Sequence, residues 1–270
     1  DRYQCTWSSI VPTIIKYLLD RAGREPYDFG GDERLSRFRF ARSASAPLAA
    51  ATLAEWEQVF GVPMIETMGL TETAGTVATN PMPPRPRKPG SVGLAFGNEI
   101  RAVDAEGRNC PPGAVGALLI RGDNVLDRYY KNEEASASAF TGDWFRTGDL
   151  GMLDDDGYLF ITGRLKELII RGGENIAPRE IDDVLYRHEA ILEAAAVGVD
   201  DELYGQEVVA AVALRDGYQC TADELMQFCV ESLGSYKAPK TVYFFDELPK
   251  GPSGKILRLK LPELIRARAS

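Results

Sequence analysis

Histidine is almost missing from this chain. The single one, His188, excludes any site built on two imidazoles. Its setting, Val184-Leu185-Tyr186-Arg187-His188-Glu189, reads as the polar end of an amphipathic helix and so as a solvated structural residue. Cysteine is scarce too: Cys5, Cys110, Cys220 and Cys229 lie far apart and form no C-x-x-C pair. Neither a zinc site nor a redox motif is indicated, and the thiols read as reduced ones in a cytoplasmic protein. No apolar run approaches the roughly 18 residues of a membrane-spanning helix. The opening Asp1-Arg2-Tyr3-Gln4-Cys5 lacks the apolar stretch of a secretory signal, so neither a membrane span nor export is expected. Positive charge is outweighed, with 31 Lys and Arg against 40 Asp and Glu, a net charge of −9. That balance argues against a nucleic-acid partner. Internal repeats and low-complexity tracts are absent.

What is present is an ordinary globular composition over 270 residues, 44% of them hydrophobic, which is enough for one or two folded units. The first 60 or so residues have α/β texture. Val11 to Arg21 has helical spacing, Arg37 to Ala41 suits a short strand, and Ala49 to Phe60 reads as a helix ending at Gly61. From Asn80 to Gly93 the chain turns rich in proline and basic residues. Strand-length segments follow at Glu99 to Val103 and Val115 to Arg121, separated by turn signals, as in an antiparallel region. After Arg164 short strands (Leu168 to Arg171, Leu192 to Val199, Val208 to Leu214, Thr241 to Phe245) interleave with helices (Pro178 to Arg187, Ala222 to Leu233). This is the pattern of a compact α+β unit, with a domain boundary near Arg164 to Lys166.

Four segments carry candidate chemistry. In Thr67-Met68-Gly69-Leu70-Thr71-Glu72-Thr73 a hydroxyl beside a carboxylate follows a glycine. Such a pair suits a phosphate contact and a Mg²⁺ ligand, although alone it also reads as a turn and helix cap. In Trp144-Phe145-Arg146-Thr147-Gly148-Asp149-Leu150-Gly151 an Asp between glycines, in a turn that presents it outward, can accept from both hydroxyls of a ribose, or simply form an Asx turn. In the run from Gly157 to Ile181, Gly172 and Gly173 permit close backbone approach of a ligand, and Arg164 and Lys166 place positive charge at the domain boundary. The fourth, Pro249-Lys250-Gly251-Pro252-Ser253-Gly254-Lys255-Ile256-Leu257-Arg258, is a basic loop whose Lys255 can swing onto an anion.

Taken in order, these segments resemble the adenylate-forming superfamily of acyl-CoA synthetases, peptide-synthetase adenylation domains and luciferases. The pattern G-R-x-K-x-x-I-x-x-G-G-x-x-I-x-P-x-E-I followed by P-x-x-x-S-G-K-I-x-R is specific, and the match runs from about Thr6 to the C-terminus. The implied fold is α/β with α+β. Residues 1–165 would be the C-terminal part of the large domain (α/β plus a β-barrel-like region), and 166–270 a small mobile C-terminal domain. The resemblance implies nucleotide contacts at Ser45, Ala46, Pro47, Met68, Gly69, Thr71, Asp149 and Arg164, with Met68 standing where an aromatic usually stacks on adenine. It implies catalytic roles for Lys255, Thr71 and Glu72, with Glu72 holding Mg²⁺, a hinge at Lys166, and a CoA route past Gly172 and Gly173. Thr67, Gly69, Leu70 and Gly75 would line the acyl pocket.

The implied reaction is ATP-dependent: a carboxylic acid becomes an acyl-adenylate, and CoA, or alternatively a carrier protein, then takes the acyl group. ATP, Mg²⁺ and CoA are the expected ligands, and a rotation about Lys166 would serve the two steps in turn. Within the superfamily, Arg42 to Leu48, Asn80-Pro81, Lys88 to Gly93 and Lys166 to Gly173 resemble CoA ligases of the oxalyl-CoA synthetase type. The pocket positions Thr67, Gly69, Leu70, Ala74 and Gly75 are small or apolar, so a monocarboxylate suits them at least as well as a dicarboxylate. The family's Ser/Thr/Gly-rich phosphate loop has no counterpart in the sequence. The expectation is therefore the C-terminal part of a longer enzyme, inactive alone and completed by an N-terminal half, or a non-catalytic module.

Overall fold

Residues 5–24, 36–252 and 254–269 are described by a computed structural model. Their contacts group into two units, one of Asp1–Ile10, Glu33–Leu48 and Val62–Lys166, the other of Val11–Asp32, Ala49–Gly61 and Glu167–Ser270. In the first unit, strands β1 (Trp7–Ile10), β2 (Phe40–Ser43), β3 (Met64–Leu70), β4 (Gly75–Thr79) and β5 (Leu94–Ala95) form one sheet in chain order. β1, β2 and β3 are parallel, and β4 and β5 add antiparallel strands. The parallel connections run through helices α1 (Pro12–Arg24) and α2 (Ala50–Phe60), which belong by contacts to the second unit. The sequence reading had placed both helices with the first domain. α2 ends where expected, at Gly61, whose left-handed backbone donates its N–H to Glu57 O.

A second sheet is antiparallel, in the order β10-β9-β7-β6, from β6 (Glu99–Val103), β7 (Gly116–Arg121), β9 (Trp144–Leu153) and β10 (Leu159–Arg164). The short β8 (Phe140–Thr141) pairs with β9, after helix α3 (Glu133–Ser138). Met68, Val77 and Ala78 of the first sheet share a core with Ala102, Leu118, Ile120 and Leu159 of the second. The proline-rich loop is pinned by Asn80, 3% exposed, whose amide donates to Ser91 O and accepts from Lys88 N.

The second unit contains β11 (Ile169–Arg171), β12 (Glu174–Ile176), α4 (Pro178–Leu185), β13 (Ile191–Asp201), β14 (Gly205–Leu214), α5 (Ala222–Leu233), β15 (Thr241–Phe244) and α6 (Leu261–Ala269). Its sheet runs β12-β11-β14-β13, with β15 parallel on β14. β13 and β14 are almost continuously apolar because both their faces are covered. Ala194, Ala196, Val208, Ala210 and Val212 pack with Ile181, Leu185, Leu225 and Cys229 of α4 and α5. The alternate set Ala195, Val197, Val209 and Ala211 packs with Leu248, Leu261 and Ile265. Each fully buried Ile or Leu here, such as Ile181 or Leu225, contributes about 1.5–3 kcal/mol. Thr221 and Glu224 close the N-terminus of α5 reciprocally, which is why its limits match the sequence reading. No helix among the described residues is long and apolar enough to cross a membrane.

Candidate active site

β2 and β3 are parallel, with Ser43 beside Glu66, so both leave the sheet at the same carboxyl edge, where open α/β sheets take ligands. Ser45, Ala46 and Pro47 follow β2, with Ser45 held in a left-handed conformation (φ 75). Thr67, Gly69 and Leu70 end β3, and Gly69 stands opposite Thr76 of β4. A side chain at Gly69 is excluded, because its Cβ would stand 2.4 Å from Gly75 O. Met68 is 8% exposed and packed into the core shared by the two sheets. The adenine-facing role read for it is therefore restricted by packing that commits its side chain inward.

Instead of a helix cap, the segment after Leu70 forms a single 3-10 turn, Thr71–Thr73. The turn is closed by the Thr73 hydroxyl, which accepts from Leu70 N. Asn124 Nδ2 donates to Thr73 O (2.7 Å) and Leu126 N to Glu72 O (2.8 Å). Tyr129 Oη donates to Glu72 Oε1 at 3.0 Å. Burial, then the neighbouring carboxylate, push the Tyr129 hydroxyl up from its ordinary pKa, so it stays a donor. The other Glu72 oxygen has no hydrogen bond among the described residues, and those residues contain no cluster of three potential metal ligands. One available carboxylate oxygen fits Mg²⁺, which takes one or two carboxylates and completes its shell with water and substrate phosphates.

Asp149 was read as an outward-facing turn residue, but it lies within β9 and is 5% exposed. The β7–β9 register steps from Leu119↔Arg146 to Ala117↔Leu150, which bulges Thr147, Gly148 and Asp149 out of the ladder. Thr147 Oγ1 fixes the bulge by donating to Leu118 O (2.9 Å) and accepting from Asp149 N (3.0 Å). The Asp149 carboxylate accepts from Arg164 Nε at 2.8 Å, and Arg164 is its cross-strand partner in β10. The carboxylate side chain is 7% exposed and the guanidinium side chain 47%, so the anion is buried and the cation reaches solvent.

In the second unit Gly172 and Gly173 turn the chain between β11 and β12 at φ 57 and 87, a left-handed pair that side chains rarely adopt. Beside them the Arg171 guanidinium lies between the rings of Tyr204 and Tyr236, 4.8 and 5.0 Å from their centroids. Lys255 is exposed, in a loop closed by the bridge Lys250↔Ile256; Ser253 of that motif lies outside the described residues. Both sides of the loop are anchored. Lys250 Nζ meets Glu193 (2.8 Å) and Glu247 (2.6 Å). Arg258 meets Asp182 (2.5 Å), Glu167 (3.2 Å) and the Ala196 carbonyl. Lys166 is exposed in the turn Leu165–Glu167, and the division between the units falls directly after it.

Residues 1–130 match the AMP-binding enzyme family, and residues 180–255 match the AMP-binding enzyme C-terminal domain.

The chain belongs to the AMP-binding enzyme family.

The sulfoacetate–CoA ligase of Cupriavidus necator is 50% identical to it over 262 residues, 96% of this chain and 50% of that protein. The oxalate–CoA ligase of Arabidopsis thaliana is 42% identical over 258 residues, 95% of this chain and 49% of that protein. Among solved structures, the anthranilate CoA ligase AuaEII in complex with anthranoyl-AMP superposes with a TM-score of 0.88 at 31% identity, covering 100% of this chain and 52% of that one. The chain thus spans about half the length of the curated relatives it matches. Two pairs of candidate residues are brought together: Glu72 with Tyr129, and Asp149 with Arg164. Tyr129 and Asn124 escaped the sequence reading because their partners are remote in sequence. Arg42, part of a segment already singled out, has contacts the sequence does not show: it donates to Thr67 Oγ1 (3.0 Å) and Thr76 Oγ1 (2.9 Å).

Proposed function

We propose that the protein carrying this chain is an ATP-dependent acid–CoA ligase that forms an acyl-adenylate and passes the acyl group to CoA. The observation that carries this reading is the buried Asp149 carboxylate, displayed by a bulge and held by Arg164, in a chain that CoA ligases match over at least 95% of its length. In the first step a substrate carboxylate oxygen bonds to the α-phosphorus of ATP and pyrophosphate leaves. In the second, the CoA sulfur bonds to the acyl carbon, AMP leaves, and the thiol proton goes to solvent.

Both steps build negative charge, so positioned cations and donors are the principal lever. Asp149 holds the ribose hydroxyls, with Arg164 orienting the carboxylate and adding a nucleotide contact. Ser45, Ala46, Pro47 and Gly69 border the base, Met68 only through its backbone, and Thr71 donates to a phosphate oxygen. Glu72, its carboxylate fixed by Tyr129, would hold Mg²⁺, which when bound would supply charge neutralisation at the phosphates. Lys255 bridges the substrate carboxylate and the α-phosphate in the first step. Gly172 and Gly173, with no side chains, admit the thiol arm in the second. Residues 1–165 act as part of the nucleotide-binding domain and 166–270 as the mobile one, with Lys166 the hinge between the two steps.

The test is acid-dependent exchange of labelled pyrophosphate into ATP, followed by mass-spectrometric detection of a CoA thioester. Exchange with thioester formation is expected. Exchange that yields no thioester with CoA would move the acceptor to a carrier protein, and the absence of both would overturn the proposal.

A further inference from the structure

We infer that Arg42 is a substrate-binding residue that receives a second anionic group, a carboxylate or sulfonate, of the acid being activated; this rests on the reading that Thr67, Gly69, Leu70 and Gly75 line the acyl pocket. The first ground is charge. Arg42 is partly buried, yet its only hydrogen bonds among the described residues go to two neutral hydroxyls, Thr67 Oγ1 and Thr76 Oγ1. It makes no ion pair there, and Nη1 keeps both its N–H groups unused. Three arginines with side chains withdrawn from solvent are each paired with a carboxylate: Arg171 with Glu207, Arg215 with Glu55, and Arg258 with Asp182 and Glu167. A partly desolvated cation with no counter-charge is costly unless something else supplies the charge.

The second ground is placement. Thr67 lies on β3 and Thr76 on β4, and Thr76 is the cross-strand partner of Gly69. The two hydroxyls therefore fix the guanidinium against the strand pair that supplies the pocket residues. Gly69 contributes no side chain there, because a Cβ would collide with Gly75 O. A pocket that reads as small and apolar from its own segment thus gains a cation from the neighbouring strand β2. A guanidinium fork matches two oxygens of a carboxylate or sulfonate, and a monoanionic acid leaves it uncompensated.

The experiment is pyrophosphate exchange with acids of similar length: malonate, a sulfonate-bearing acetic acid, and propionate as the monoanionic reference. The enzyme is compared with Arg42→Met and Arg42→Lys, each checked by thermal unfolding. The dianionic acids should give the higher kcat/KM, and the dianion-to-propionate ratio should fall by at least ~30-fold in Arg42→Met, the scale of a truncated buried charge partner. Arg42→Lys should retain part of the preference. The better of the two dianions tells carboxylate from sulfonate. If Arg42→Met does not fold, Thr76→Val, which removes one of the two bonds aiming the guanidinium, should lower the same ratio. A wild-type preference for propionate, or an equal fall for all three acids, overturns the inference. No exchange with any acid overturns the ligase reading itself, and the role of Arg42 falls with it.

Discussion

The two units hold their candidate site residues by different kinds of contact. In the first, Glu72 sits in a 3-10 turn, Asp149 on a bulge and Arg42 on β2, and each is gripped directly by a neighbour: Tyr129, Arg164, and the hydroxyls of Thr67 and Thr76. In the second, ion pairs anchor the residues on both sides of Lys255. Lys255 is exposed, while Lys250 before it and Arg258 after it are tied to Glu193, Asp182 and Glu167. A binding pocket gains from fixed geometry, whereas the role proposed for Lys255, in one of two steps, calls for a loop carried on an anchored base.

The contrast is broken most severely at Arg258. Arg258→Met removes the partner of Asp182 and Glu167 and leaves the Ala196 carbonyl without its donor. Stranding such charges costs about 3–5 kcal/mol, and the unfolding midpoint should drop by roughly 6–20 °C. An unchanged midpoint would remove the anchored base from the comparison.

Next comes Lys255 itself. Lys255→Ala should lower acyl-adenylate formation by about 10²–10³-fold, the scale of removing one oriented donor. Thioester formation from supplied acyl-adenylate should stay nearly intact. Equal loss in both half-reactions would contradict the assigned role.

A third test probes the burial of a charge that no loop relieves. Lys16 is 6% exposed, and its pKa is lowered to about 8, chiefly by burial and then by Arg215. Between pH 8 and the ordinary value of 10.5 the unfolded chain binds the extra proton, so stability rises with pH across that window. Below pH 8 the buried charge costs about 3 kcal/mol. Lys16→Met should therefore raise the midpoint at pH 7, with the gain fading by pH 10.5; a gain independent of pH would show that only packing changed.

The smallest effect is expected at Gly173, where nothing lies within 4 Å of an added Cβ but φ is 87. Gly173→Leu should leave pyrophosphate exchange near its original rate and slow CoA thioester formation by about tenfold, less than a misplaced reactant can cost. Loss of exchange with the fold intact would count against the thiol route.

Much of this was legible in the sequence wherever the signal is local. Ala222–Leu233 is a helix with the limits read for it, because Thr221 and Glu224 cap it from within the same turn. Glu99–Val103 is likewise the strand expected. The spacing from Gly163-Arg164 through Gly172-Gly173 to Gly254-Lys255 was enough to indicate the family, because the glycines need particular backbone angles and the charged residues recur at set distances from them. The α/β texture followed from the period of the apolar residues alone.

Tertiary structure decided what depends on partners far along the chain. Asp149 reads locally as an outward turn, and only the register of β9 against β7 makes it a buried carboxylate with Arg164 across the ladder. Lys16 looks like an ordinary surface lysine of an amphipathic helix until burial lowers its pKa. Arg42 lies 25 and 34 residues from the hydroxyls that hold it, and no periodicity connects them. Backbone preference is a property of a few adjacent residues and can be read in order, whereas the worth of a charge depends on what surrounds it in space, which the fold alone assembles.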